Sequence, residues 1–137
     1  MRPKKTILCV DDNEQALSIR KFMLETRGYR VVTSTSGHEA IHLFRQSPVD
    51  LVLSDLTMQG MNGEELIRQL KETSPETPAI LLSSKAKAQN EGMHADVFLP
   101  KGTHDPAELL ERIRLLLVRK RGPKKGSSVA RALQAAS

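Results

Sequence analysis

Thr6-Ile7-Leu8-Cys9-Val10-Asp11-Asp12 decides how this chain folds. Five residues run without the polar alternation of a strand that faces water, and then stop on two acids. A short apolar run of that kind fits a strand buried on both faces. Four further runs share its character, at 30–34, 50–54, 79–83 and 96–99.

Between these runs the apolar residues take helical spacing. Ala16, Ile19 and Met23 form one stripe, Ala40, Ile41 and Phe44 a second, and Leu66, Ile67 and Leu70 a third; Leu109, Ile113, Leu116 and Leu117 follow the last run. Each stripe can turn toward a sheet. Ser36 with Glu39, and Asp105 with Glu108, have capping-box spacing, and Pro106 stands where a first helical residue would. Gly28 and Gly37 punctuate the joints around the second strand. Residues 85–92 are short and polar, with only Ala86, Ala88 and Met93 nearby to bury, and predict a shortened fourth helix. Strand and helix alternating five times imply right-handed crossovers and an α/β, doubly wound, five-stranded parallel sheet covered on both faces. The common order for five strands is 2-1-3-4-5, the flavodoxin-like arrangement.

The rest of the composition bounds the function. A chain of 137 residues suits one domain, and at this size a fold buries roughly two thirds of its unfolded surface without cross-links. The lone Cys9 has no partner for an internal disulfide, which points to a reducing compartment, and the cytoplasm is the expected location. The apolar run behind Met1-Arg2-Pro3-Lys4-Lys5 is too short for a signal sequence, and no stretch approaches the roughly 18 apolar residues of a membrane span. The net charge of +5 is unevenly placed: residues 119–137 carry six basic and no acidic side chains, so the remainder is slightly acidic. A folded basic face for DNA is not indicated, and affinity for nucleic acid is expected only through the tail. The organisation read here is a domain over residues 1–118 and a basic, flexible tail or linker over 119–137, rich in Gly and Ser.

In open α/β sheets ligands bind beyond the carboxyl ends of the strands, near the point where the order reverses. Strand one ends into Asp11 and Asp12, strand three into Asp55, strand four into Ser83, and strand five runs into Lys101. Three converging carboxylates repel one another and require a cation. With no His or Cys among them, the all-oxygen set suits Mg²⁺ better than zinc. Lys101 adds a fixed positive charge and Ser83 a hydroxyl donor. Such a site suits a phosphoryl group, with Asp55 as the attacking or carrying oxygen.

On these residues the chain resembles the receiver domain of two-component response regulators, the CheY-like superfamily, over roughly residues 5–118. The resemblance rests on the Asp11-Asp12 pair, on Asp55-Leu56-Thr57-Met58-Gln59-Gly60-Met61-Asn62-Gly63, on Ser83 after Ile80-Leu81-Leu82, and on Phe98-Leu99-Pro100-Lys101. It implies that Asp55 accepts a phosphoryl group from a phosphohistidine of a histidine kinase or histidine phosphotransfer protein. It implies too that Asp12, Asp55 and the backbone carbonyl of Thr57 bind Mg²⁺ directly, with Asp11 acting mostly through a metal-bound water. Lys101 would pair with the phosphoryl oxygens, Ser83 would turn inward to hydrogen-bond one of them, and Phe98 would follow as the aromatic switch. The implied output is contact with a downstream protein of unknown identity, not turnover of an outside substrate, and the 19 residues after Val118 leave no room for an output domain.

Some positions depart from the family pattern. Lys101 is followed by Gly102, where receivers usually carry a proline; Gln59 stands at another common proline position, and the stretch from Ser83 to Phe98 is several residues short. The shortened fourth helix and the proline that precedes Lys101 instead of following it support an alternative, a degenerate receiver acting as a constitutive protein-binding module, which the intact acidic cluster opposes. Plainer readings also exist for single residues. Asp11 and Asp12 could cap the first helix, Met58 and Met61 could simply pack, and His38, His42, His94 and His104 read as surface residues with no acid partner.

Overall fold

The computed structural model describes residues 4–83, 94–101 and 106–121. The elements run β1 (Thr6–Val10), α1 (Glu14–Glu25), β2 (Arg30–Ser34), α2 (Gly37–Gln46), β3 (Leu51–Asp55), α3 (Gly63–Thr73), β4 (Ala79–Ser83), β5 (Val97–Pro100) and α4 (Pro106–Arg121). The five strands form one sheet in the order β2-β1-β3-β4-β5, and every neighbouring pair is parallel. This is the doubly wound arrangement expected from the alternation. The expected fourth helix at 85–92, the Asp105 cap and residues 122–137 of the tail lie outside the described residues.

β1, β2 and β4 fall where their apolar runs do, whereas β3 and β5 begin one residue later than expected. The reason is chemical. Asp50 and Asp96 stand just ahead of their strands, and each accepts the first N–H of a neighbouring strand: Thr6 N donates to Asp50 Oδ2 at 2.8 Å, and Ala79 N to Asp96 Oδ2 at 2.8 Å. Their carboxylates stand in for a ladder bond at the sheet's lower rim. Ser36 caps α2 by accepting from Glu39 N, and Pro106 opens α4 as read. The cap of α1 is Asn13, which accepts from Ala16 N at 3.0 Å, so Asp11 and Asp12 are released from that duty.

Side chains alternate across the sheet and build two separate cores. On one face Ile7, Cys9, Leu51, Leu53, Ile80, Leu82 and Leu99 pack against α1 and α4. On the other, Leu8, Val10, Val52, Ala79 and Leu81 pack against α2 and α3. The stripes expected on α2, α3 and α4 are the ones that face the sheet. α1 is the exception. Ile19 is 70 % exposed and Phe22 71 %, while the buried residues are Leu17 and Leu24. Of the expected Ala16, Ile19, Met23 stripe, Ala16 is half-buried and Met23 packs against this core, and Ile19 alone turns to solvent.

Candidate functional site

Parity carries one of the two cores directly into the site. Asp11 lies two residues beyond Cys9, Asp55 two beyond Leu53 and Lys101 two beyond Leu99, so all three continue the rows that face α1 and α4. Because β1 and β3 are neighbours in register, Asp11 and Asp55 emerge side by side at the carboxyl rim. Asp12 joins them from the turn that leads to α1. One carboxylate oxygen from each of Asp11, Asp12 and Asp55 lies within 4.8 Å of the others.

Each acid is held by specific donors. Asp11 is fully buried; its Oδ1 accepts Asn13 N–H at 3.0 Å, and its Oδ2 faces Lys101 Nζ at 3.0 Å and Arg20 Nη1 at 3.4 Å. The same ammonium reaches Asp55 Oδ2 at 3.3 Å. Asp12 is exposed, and its Oδ2 accepts the backbone N–H of Gln59 at 3.1 Å, which ties the loop after β3 to the turn after β1. A proline at 59 has no N–H to give. Asp55 is 5 % exposed. Burial pushes its carboxyl above the ordinary range, the Lys101 ammonium opposes the rise, and the Asp11 carboxylate adds to it.

The loop after Asp55 is shaped by glycine. Gly60 turns it at φ +77°, and Gly63 N donates to Leu56 O at 2.8 Å at the start of α3. A Cβ on Gly63 would sit 2.3 Å from the Asp55 carbonyl oxygen and 2.7 Å from Leu81. Only a bare Cα lets α3 start this close to Asp55. Met58 is buried and Met61 packs against the α2–α3 core, as read.

The remaining sequence-predicted residues are placed as follows. Ser83 is buried at the end of β4, opposite Pro100 in register, and its carbonyl accepts the Lys101 N–H. Thr57 is exposed two residues past Asp55. Phe98 is half-buried against the α2–α3 core, opposite Leu81, on the face away from Asp11 and Asp55. Cys9, beneath Asp11, is raised by burial to about 12 and is no nucleophile.

Sequence reasoning missed Arg20, whose one signal was its spacing from Leu17 and Leu24. It also missed the partner of His94: Glu64, at the start of α3, accepts the His94 backbone N–H at 3.1 Å and meets its Nδ1. His38 and His42 are exposed as expected, and His104 lies outside the described residues.

Among the described residues, the three-carboxylate cluster offers oxygen alone, at a spacing one small hard cation can bridge, and so fits Mg²⁺. Such a site has the parts phosphoryl transfer needs, with little covalent chemistry for the protein to perform.

Comparison with known proteins agrees. The family described as "Response regulator receiver domain" matches residues 7–114. Response regulator GtcR of Aneurinibacillus migulanus is 34 % identical over 119 residues, and transcriptional regulatory protein CpxR of Escherichia coli K12 is 35 % identical over 117. The matches cover 84 % and 82 % of this chain but 48 % and 49 % of those proteins, so the chain spans about half the length of the curated relatives it matches. Among solved structures, the CheY-like receiver domain protein of Methanospirillum hungatei has a TM-score of 0.79 at 27 % identity, covering 86 % of this chain and 97 % of that one. Response regulator TrrA of Thermotoga maritima, solved in complex with Mg²⁺ and BeF, has a TM-score of 0.76 at 29 % identity, covering 82 % and 98 %. No helix among the described residues is long and apolar enough to cross a membrane. Fold, acidic rim and family match converge, and the chain belongs to the response regulator receiver domains, the phosphoacceptor switches of two-component signalling systems.

Proposed function

We propose that Asp55 accepts a phosphoryl group from a phosphohistidine of a histidine kinase or phosphotransfer protein, and that the chain signals through contact with another protein. The observation that carries this reading is the placement of Asp55. Its carboxylate is buried, two further carboxylates lie within 4.8 Å, and one ammonium stands 3.3 Å from Oδ2. A carboxylate stripped of most of its water is ready to attack, and the fixed cation beside it can move onto the charge that arrives.

In the transfer an Asp55 oxygen bonds to phosphorus as the phosphorus–nitrogen bond of the donor breaks. The electron pair of that bond returns to the imidazole nitrogen, which takes up a proton. Bound Mg²⁺ would supply positive charge against the phosphoryl oxygens; Asp12, Asp55 and the Thr57 carbonyl would hold it, with Asp11 acting through water. Lys101 would shift from the two carboxylates to the incoming oxygens. Ser83, whose main chain is bonded to that of Lys101, would offer its hydroxyl to one of them, and Phe98 would turn inward from its half-buried seat.

Incubation with acetyl phosphate and Mg²⁺, followed by intact-mass measurement, tests the reading. The expected result is a gain of one phosphoryl group that chelation of the metal and Asp55→Asn both abolish. Wild-type protein that gains nothing from any donor contradicts it and favours a constitutive binding module, and a gain that survives Asp55→Asn contradicts Asp55 as the acceptor.

A further inference from the structure

The stripe by which α1 faces the sheet reads Leu17, Arg20, Leu24, with a guanidinium where an aliphatic side chain would complete the packing. The Arg20 side chain is 11 % exposed and its Nη1 lies 3.4 Å from Oδ2 of the fully buried Asp11. Burying an arginine on a packing stripe is costly unless it is paired. Its partner here is the oxygen that Lys101 also holds, at 3.0 Å. Three carboxylates therefore share the pocket with two cations, and among the described residues the site carries one net negative charge.

That balance determines what the pocket prefers to bind. Mg²⁺ alone would turn one negative charge into one positive charge. Mg²⁺ together with a phosphoryl dianion on Asp55 would leave the pocket neutral, because the acyl phosphate carries one more negative charge than the carboxylate it replaces. We infer that Arg20 is a positioning and affinity-setting residue of this pocket: it holds Asp11 and weakens Mg²⁺ binding, so the metal is taken up less tightly than three carboxylates and Lys101 alone would allow. The inference rests on the receiver reading above and goes beyond it. A pocket without this second cation would start more negative and take Mg²⁺ readily in either state. Arg20 also reaches Asp11 from the helix behind it, so the acid keeps a partner when Lys101 leaves for the phosphoryl oxygens.

The test is a Mg²⁺ titration of the full chain, followed by backbone amide shifts, without and with beryllofluoride as the phosphoryl mimic. Arg20→Met and Arg20→Gln remove the charge, and Arg20→Lys keeps it. Loss of one repulsive unit charge close to the metal should tighten Mg²⁺ roughly tenfold in both neutral variants, without and with beryllofluoride alike. Arg20→Lys should stay near wild type. Two neutral variants keep the test open if one fails to fold. Unchanged or weaker Mg²⁺ affinity in the folded neutral variants overturns the inference. So does Arg20→Gln behaving as wild type while Arg20→Met differs, since a hydrogen bond and not charge would then be responsible. Absence of phosphoryl gain on wild-type Asp55 would instead strike the underlying receiver reading, and that measurement does not involve Arg20.

Discussion

Helices α1 and α3 are 12 and 11 residues long and lie on opposite faces of one sheet, yet they use their apolar residues in opposite ways. α3 turns Leu66, Ile67 and Leu70 inward and shows water a charged face on which Arg68 bridges Glu65 and Glu72. Burial in that helix serves packing and little else. α1 leaves Ile19 and Phe22 in solvent and turns Arg20 inward between Leu17 and Leu24. The difference follows from the rows beneath them. The row under α1 ends in Asp11 and Asp55, and a helix packed there has charge to answer as well as surface to bury.

Substitutions on the two helices should therefore cost very different amounts. Leu66→Ala removes a fully buried side chain from α3 and should destabilise by about 2–5 kcal/mol in urea unfolding. Phe22→Ala removes a larger side chain from α1 and should stay within roughly 0.5 kcal/mol, as exposed substitutions do. Similar costs at the two positions would break the comparison.

The start of α3 offers a sharper probe, because there packing and site meet. Gly63→Ala places a methyl group against the Asp55 carbonyl and the Leu81 side chain. Overpacking of this kind costs about 1–3 kcal/mol, and the loop must shift to relieve it. Both a lower urea midpoint and slower gain of phosphoryl from acetyl phosphate are expected. A wild-type rate in this variant would show that the close approach does not position Asp55.

The smallest effect is the pH dependence of Asp55 itself. Its folded-state carboxyl titrates above the unfolded value because of burial, so the folded protein holds the proton more tightly. Stability from this group is present at acid pH and is lost as pH rises through the raised value. Asp55→Asn should therefore be more stable than wild type at neutral pH, with the advantage shrinking as the pH falls. An advantage that grows on acidification would reverse the sign of the argument.

The same contrast governs what could be read from the amino-acid sequence. The strands were legible because a parallel strand covered on both faces needs an unbroken apolar run, and Asp11, Asp12, Asp55 and Lys101 were legible because strand ends in such a sheet are where ligands bind. Asp50 and Asp96 blurred two strand boundaries, since a side chain bonding a neighbour's N–H imitates a strand residue. On α1 Ile19 was misplaced because it fits a helical period with Ala16 and Met23, and Arg20 does not look like a core residue. Glu64 and His94 lie 30 positions apart, a pairing that only the crossover between α3 and β5 creates.

The most direct test of the central claim is to find the atom that carries the phosphoryl group. Protein treated with acetyl phosphate and Mg²⁺ is reduced with borohydride, which converts an acyl phosphate to the alcohol, and then digested and sequenced by mass spectrometry. The account predicts homoserine at position 55 and nowhere else. Aspartate still intact at 55 in protein that has gained a phosphoryl group, or homoserine at position 11 or 12 in its place, would contradict it.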